Sequence, residues 1–290
     1  MGKFAGFPEL DKLIDGLRPE TLTLIGARPK QGKTALVMSI IQNILDAGAR
    51  VAFYSLEMPA QQVISRFIAM KAAVDYQLMM RGVFTEEEGE RIEAAAADVD
   101  GWQRQQRLVL DDTGDLTPSA LSFRSRHAVR KHGAQVVFVD YIQRLRPEGR
   151  GSRYEQVTEI SMALADMRKA IKAPIIAAAQ LNRKVVDRSV MTFAKIRDRI
   201  AEGTRPNDGD LRDSGQLEQD GDAVIFLNRP ILVLEKLKPE DEEERFKWEE
   251  ACLRWRRKAE LNVHFNRGGP SGFVDFLFAG PSMRFDEVRQ

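Results

Sequence analysis

The feature that most restricts what this chain can fold into is the octapeptide Ala27-Arg28-Pro29-Lys30-Gln31-Gly32-Lys33-Thr34, set between a run of strand formers and an apolar run of helical spacing. It fits the pattern [AG]-x-x-x-x-G-K-[ST]. In that pattern the glycine lets the backbone approach an anion closely, while the lysine and the hydroxyl reach it with side chains. Thr21 to Ile25 read as the strand before it, and Ala35 to Ile41 as the helix after it. This order turns backbone N–H groups and the positive end of a helix dipole onto one point, which suits a phosphate. The competing reading, a chance Gly-Lys-Thr in a tight turn, does not explain the flanking elements.

Further along, Val51 to Leu56, Arg107 to Leu110, Gln135 to Asp140, Pro174 to Ala179 and Ala223 to Leu227 are strand-length apolar runs. Continuous runs of this kind belong to strands buried on both faces, as in parallel sheets. Between them lie helix starts: capping boxes at Thr85 to Glu88 and Ser152 to Glu155, and a cap followed by proline at Thr117-Pro118. Leu261 to Phe265 and Phe273 to Phe278 alternate about Arg267-Gly268-Gly269-Pro270, which predicts an antiparallel pair. The expected architecture is α/β: a mainly parallel central sheet flanked by helices, with a C-terminal antiparallel pair. Residues 1–290 are expected to form a single domain, with a lead-in helix over 1–18 and a charged helix inserted over 239–258. Trp248, Ala251, Cys252 and Trp255 give that insertion one apolar stripe, so it packs on the domain or on a neighbouring subunit.

Three strand ends carry polar residues on the ligand side of such a sheet. Glu57 follows the second strand and can orient or deprotonate a water, or serve only as a charge at the start of the next helix. Asp140 ends the plainest strand and suits Mg²⁺, held directly or through water, with the Thr34 hydroxyl as a second ligand. Gln180 can contact a γ-phosphate or its attacking water, or make a simple strand-end hydrogen bond. From Asn182 to Asp210 periodicity is lost, and between Arg183 and Arg205 there are seven Lys/Arg against three acids. That stretch contacts a phosphate backbone or is a solvated loop. Because Lys+Arg 44 nearly balance Asp+Glu 43, a nucleic-acid partner requires such a local cluster rather than a global field. The single cysteine, Cys252, excludes an intrachain disulfide, and no apolar run is long enough to span a bilayer, so the expected compartment is the cytoplasm.

In sequence order these motifs resemble the RecA-type ATPase domain of DnaB-family replicative helicases, from about Phe7 to Phe285. The matches are Ala27-Arg28-Pro29 with Gly32-Lys33-Thr34, Ser55-Leu56-Glu57-Met58, Asp111-Asp112 with Leu116-Thr117-Pro118, Val139-Asp140-Tyr141-Ile142-Gln143, Gln180-Leu181-Asn182-Arg183, Asp210 to Gly215, and Asn266 to Pro270. The resemblance implies a RecA-like P-loop NTPase that binds ATP and Mg²⁺ through Ala27, Arg28, Pro29, Lys30, Gln31, Gly32, Lys33, Thr34 and Ala35, with Asp140 serving the metal. It implies that Glu57 positions the attacking water and that Gln180 couples nucleotide state to the DNA-binding loops. Arg267 would act as a finger on ATP held by the adjacent subunit, and Arg212, Asp213 and Gly215 would hold single-stranded DNA. The partners implied are single-stranded DNA, further copies in a head-to-tail hexamer, and primase or a helicase loader. Two departures stand out. Phe265 occupies the place where the family usually carries a lysine, and the chain begins almost at the ATPase domain, without the family's N-terminal domain or linker helix. Two other functions of the same fold remain open at this stage: a recombination or signalling ATPase that does not unwind DNA, and a non-motor partner of a helicase ring.

Overall fold

The computed structural model describes residues 4–149, 151–181, 191–206 and 219–288. Its frame is one nine-stranded sheet. The strands are β1 (Leu22–Ala27), β2 (Val51–Ser55), β3 (Leu108–Asp111), β4 (Val136–Asp140), β5 (Ile175–Gln180), β6 (Ala223–Asn228), β7 (Lys258–Asn266), β8 (Gly272–Ala279) and β9 (Arg284–Glu287). Their spatial order is β3-β2-β4-β5-β1-β6-β7-β8-β9. The first six run parallel, and β6 to β9 are joined antiparallel. The expected antiparallel pair is therefore three strands, because β9 adds itself to β8 through Phe278↔Phe285 and its neighbours.

Alternation along the central strands splits the core in two. Ile25 and Ala27 of β1 face a cluster built with α2 (Lys33–Asp46), α3 (Ala60–Ala72) and α5 (Glu86–Arg104). Leu22 and Leu24 face the other side, where α6 (Pro118–His132) and α7 (Arg153–Ile171) pack. Between α3 and α5 stands the short helix α4 (Tyr76–Met80), capped by the Asp75 carboxylate. Because β1 feeds α2 on one face while β4 feeds α7 on the other, the crevice at the C-terminal ends of β1, β5 and β4 is the switch point where α/β sheets take ligands.

Among the described residues of the lead-in, helix is confined to α1 (Pro8–Ile14); the chain turns out of it at Asp15 and Gly16, with φ of 55° and 65°. Phe7 meets Phe276 edge to face at 4.9 Å, and the Glu287 carboxylate accepts hydrogen bonds from Glu9 and Leu10 N–H, so α1 is fixed to the last strands. Part of the stretch expected to be irregular is ordered as α8 (Phe193–Ile196) and α9 (Ile200–Thr204). Two of its described cations pair inside the molecule: Arg197 with Glu244 at 2.5 Å, and Arg205 as a fork on Glu260 at 2.6 and 2.7 Å. After β6 comes α10 (Ile231–Leu234), and then the charged insertion, α11 (Glu242–Trp255). This helix is shorter than 239–258 because Lys258 already pairs with Leu277 in the sheet. Trp248, Ala251, Cys252 and Trp255 pack on Phe193, Ile196, Ile200 and Leu234, and the Trp248 indole N–H donates to the Leu234 carbonyl at 2.8 Å. Among the described residues no helix is long and apolar enough to cross a membrane.

Candidate functional site

Strand pairing brings the sequence-predicted groups to one rim. Ala27 lies beside Gln180 on one flank and Leu227 on the other, and Ser55 lies beside Asp140. Leu56 N–H donates to the Asp140 carbonyl at 2.9 Å, so the turn carrying Glu57 is tied to the end of β4. Glu57 itself stands in the bend after β2, exposed. Gln143 holds the tip of β5: its amide donates to the Gln180 carbonyl and accepts from Gln180 N–H, both at 3.1 Å.

The loop after β1 is shaped from outside as much as from within. Arg28 donates to the carbonyls of Thr204 and Arg205 at 3.0 and 3.2 Å. Gln31 is 3 % exposed, and its amide oxygen accepts from Arg229 N–H at 2.6 Å. Both side chains are struts that fix the loop to its neighbours. Gly32 then takes φ 95° and opens α2, which has no capping side chain and no acid in its first turn. Its leading N–H groups thus remain for an anion. Thr34 and Ala35 lie on that first turn, Thr34 half-buried and Ala35 buried.

Lys33 reaches across the rim. Its Nζ lies 3.7 Å from Asp140 Oδ1 and 4.0 Å from the centre of the Tyr141 ring. Burial pushes the Lys33 ammonium below its usual pKa, while the carboxylates of Asp140 and Glu57 oppose the shift. Asp140 is 1 % exposed, and its Oδ1 is buried with no hydrogen-bond partner among the described residues. A buried carboxylate oxygen without a donor is costly unless a cation completes it, and the Lys33 ammonium, at 3.7 Å, faces it at ion-pair rather than hydrogen-bond range. With the Thr34 hydroxyl on the helix turn that also carries Lys33, the donors are hard oxygens of the kind Mg²⁺ prefers. These residues fit that ion.

Sequence reading missed an aromatic wall beside the loop. The Phe278 and Phe285 rings meet at 4.6 Å, tilted by 38°, and the Arg229 guanidinium lies 4.0 Å over Phe278. A Cβ placed on Gly32 would stand 3.2 Å from Phe285. No local pattern signals this wall, because it joins residues brought together only by β6, β8 and β9. Beyond it, Arg28 to Gln31, α8 and the segment from Leu232 to Asp241 line a cleft of about 1000 Å³.

Arg267 is elsewhere. Its N–H donates to the Asp222 carbonyl at 2.7 Å, and Asp222 N–H donates to the Leu22 carbonyl at 2.8 Å, which puts Arg267 at the starting end of β1. A strand of this length separates it from the phosphate loop by roughly 17 Å at about 3.3 Å per residue. The Arg267 side chain is 54 % exposed. Phe265 pairs with Val224 and packs partly buried on the core of α6 and α7. Arg212, Asp213 and Gly215 lie outside the described residues.

The sheet order, the switch-point loop and the lysine opening α2 define a RecA-like P-loop α/β domain, the fold also seen in the solved structures it matches. The chain superposes on a structure described as a DnaB-like replicative helicase and its interactions with primase, with TM-score 0.82 and 28% identity, covering 100% of this chain and 64% of that one. It also matches a second solved structure, described as an ATPase domain, with TM-score 0.80 and 28% identity over 100% of this chain and 92% of that one. Residues 2–287 match the family model for the DnaB-like helicase C terminal domain, and the chain belongs to that family. Among curated relatives it is 32% identical over 293 residues to the replicative DNA helicase DnaB of Haemophilus influenzae, and 32% identical over 288 residues to that of Buchnera aphidicola subsp. Baizongia pistaciae. It spans 56% and 55% of their lengths, about half of each.

Proposed function

We propose that this chain is the motor of an ATP-dependent replicative DNA helicase, hydrolysing ATP at the seams between copies and moving on single-stranded DNA. Family membership supports the class of activity. The observation that carries the shared site is the separation of parts: the phosphate loop and Arg267 stand at opposite ends of β1, so one copy cannot bring its own arginine to its own phosphates. A head-to-tail neighbour can.

In this reading the N–H groups at the start of α2 and the Lys33 ammonium bind the β- and γ-phosphates of the substrate, ATP. Thr34 and Asp140 hold Mg²⁺, which neutralises charge on the phosphate oxygens. Glu57, on a turn fixed by the Leu56–Asp140 hydrogen bond, orients the attacking water. Gln180, whose backbone Gln143 holds on both sides, presents its side-chain amide to the γ-phosphate. The neighbour's copy of Arg267 meets the charge that develops as the γ-phosphoryl leaves. The Arg229 and Phe278 surface gives a flat cationic face for the nucleotide base. Contact with DNA through Arg212, Asp213 and Gly215 would be chiefly to phosphates, hence weakly sequence-selective and salt-dependent. A closed hexamer, primase or a helicase loader as further partners, and a cytoplasmic site of action complete the proposal.

Mixing tests the seam. Lys33→Ala and Arg267→Ala proteins are each expected to lose ATPase activity, the latter by roughly a thousandfold. A mixture should recover part of it, because a seam pairing an intact loop from one with an intact arginine from the other is whole. Absence of recovery at every ratio refutes the shared site. Unwinding of a forked duplex by wild-type protein separates a helicase from an ATPase that only binds DNA.

A further inference from the structure

Arg267 is not a loose side chain. Its Nη1 lies 3.4 Å from Asp222 Oδ1, and its Nη2 donates to the Gln219 carbonyl at 3.1 Å. The other oxygen of the same carboxylate is also engaged: Asp222 Oδ2 accepts from Leu22 N–H at 2.8 Å and pairs with Arg168 Nη1. Arg168 comes from α7, is 9 % exposed, and feels the charge of Arg267. One carboxylate thus joins the start of β1, the end of α7 and the turn between β7 and β8, and it keeps two like charges side by side.

We infer that Asp222 is the positioning residue of the arginine finger, fixing the direction in which Arg267 faces the next copy. The inference rests on the shared-site reading above. A half-exposed arginine has several rotatable bonds, and an unanchored one would lose much side-chain freedom on engaging a phosphate. Here two of its five N–H donors are used by Asp222 and Gln219. About three remain, enough for a forked contact with phosphate oxygens without releasing the anchor. Arg168 completes the arrangement by neutralising the oxygen that Arg267 does not use.

Asp222→Asn keeps an oxygen for Leu22 N–H and removes the charge that both arginines share. In the full chain it is expected to lower kcat roughly a hundredfold, the scale of a 1 Å misplacement, with KM for ATP changed less than about threefold. The deciding measurement is again mixing, because a faulty finger is repaired by a partner and a faulty phosphate loop is not. Asp222→Asn subunits mixed with Lys33→Ala subunits should recover activity to the same degree as Arg267→Ala subunits do. If Arg267→Ala is rescued and Asp222→Asn is not, the defect lies in its own β1 and the inference is overturned. An Asp222→Asn protein with wild-type kcat overturns it equally. If neither is rescued, the shared site itself has failed. Should Asp222→Asn not fold, Asp222→Glu, which keeps the charge, replaces it and must show the same partner-repaired loss in milder form; a loss that no partner repairs counts against the inference.

Discussion

Gly32→Ala is the sharpest perturbation of the phosphate loop, because two separate penalties can be worked out and then separated. At φ 95° the backbone is one that side chains with a Cβ adopt at a cost of about 1–2 kcal/mol. The added methyl would also stand 3.2 Å from Phe285, which cannot swing aside: it is 1 % exposed and packed between Phe276 and Phe278. Overpacking of this kind adds about 1–2 kcal/mol. The sum, about 3 kcal/mol, is a sizeable share of the 5–15 kcal/mol typical of folded domains. Urea denaturation of wild type, Gly32→Ala, Phe285→Leu and the double variant gives a cycle in which the contact appears as coupling. The double variant should be more stable than the sum of the singles predicts, by about 1 kcal/mol. Its ATP affinity should stay weak, since the backbone penalty persists. A coupling near zero would refute the steric argument. A Gly32→Ala protein within about 0.5 kcal/mol of wild type would refute both halves.

Glu57→Gln should retain ATP binding and lose turnover, since the amide keeps the shape but cannot accept a proton from water; unchanged steady-state hydrolysis would remove Glu57 from the chemistry. Asp11 gives a pH signature. Burial pushes its carboxyl up to about 6, against hydrogen bonds from Ala5, Gly6 and Phe7 N–H that pull it down. The native state therefore keeps a proton that the unfolded chain releases near pH 3.8. The Asp11 contribution is complete below that value and is lost as pH rises through about 6. Wild type should gain stability relative to Asp11→Asn when pH is lowered from 7 to 4, and parallel denaturation curves would contradict this.

The central strands were legible because burial on both faces leaves a continuous apolar run, as in Val136 to Val139, where every residue is fully buried. The phosphate loop was legible because its chemistry is local. Long-range packing was not. β9 is four residues long and takes its place only by pairing with β8, and the wall sets Arg229, just after β6, against Phe278 and Phe285 of the distant β8 and β9. Boundaries erred where one element had to yield to another. The insertion helix reads as running to Lys258, since propensity favours it, yet the sheet claims Lys258. The lead-in reads as helical over 1–18, and Asp15 and Gly16 end it at Ile14. The anchors of Arg267 were equally hidden, because Arg168, Asp222 and Leu22 meet only in three dimensions.

The placement of Lys33 and Arg267 at the two ends of β1 gives the molecule sidedness. In the shared-site reading, a head-to-tail contact sets the loop of one copy against the finger of the next. In that reading, copies would queue in file, each facing the back of the one before. Every open file ends with one pocket lacking its finger and one finger lacking its pocket, so hydrolysis per copy should rise with the length of the file and reach its full value only when the last member closes on the first.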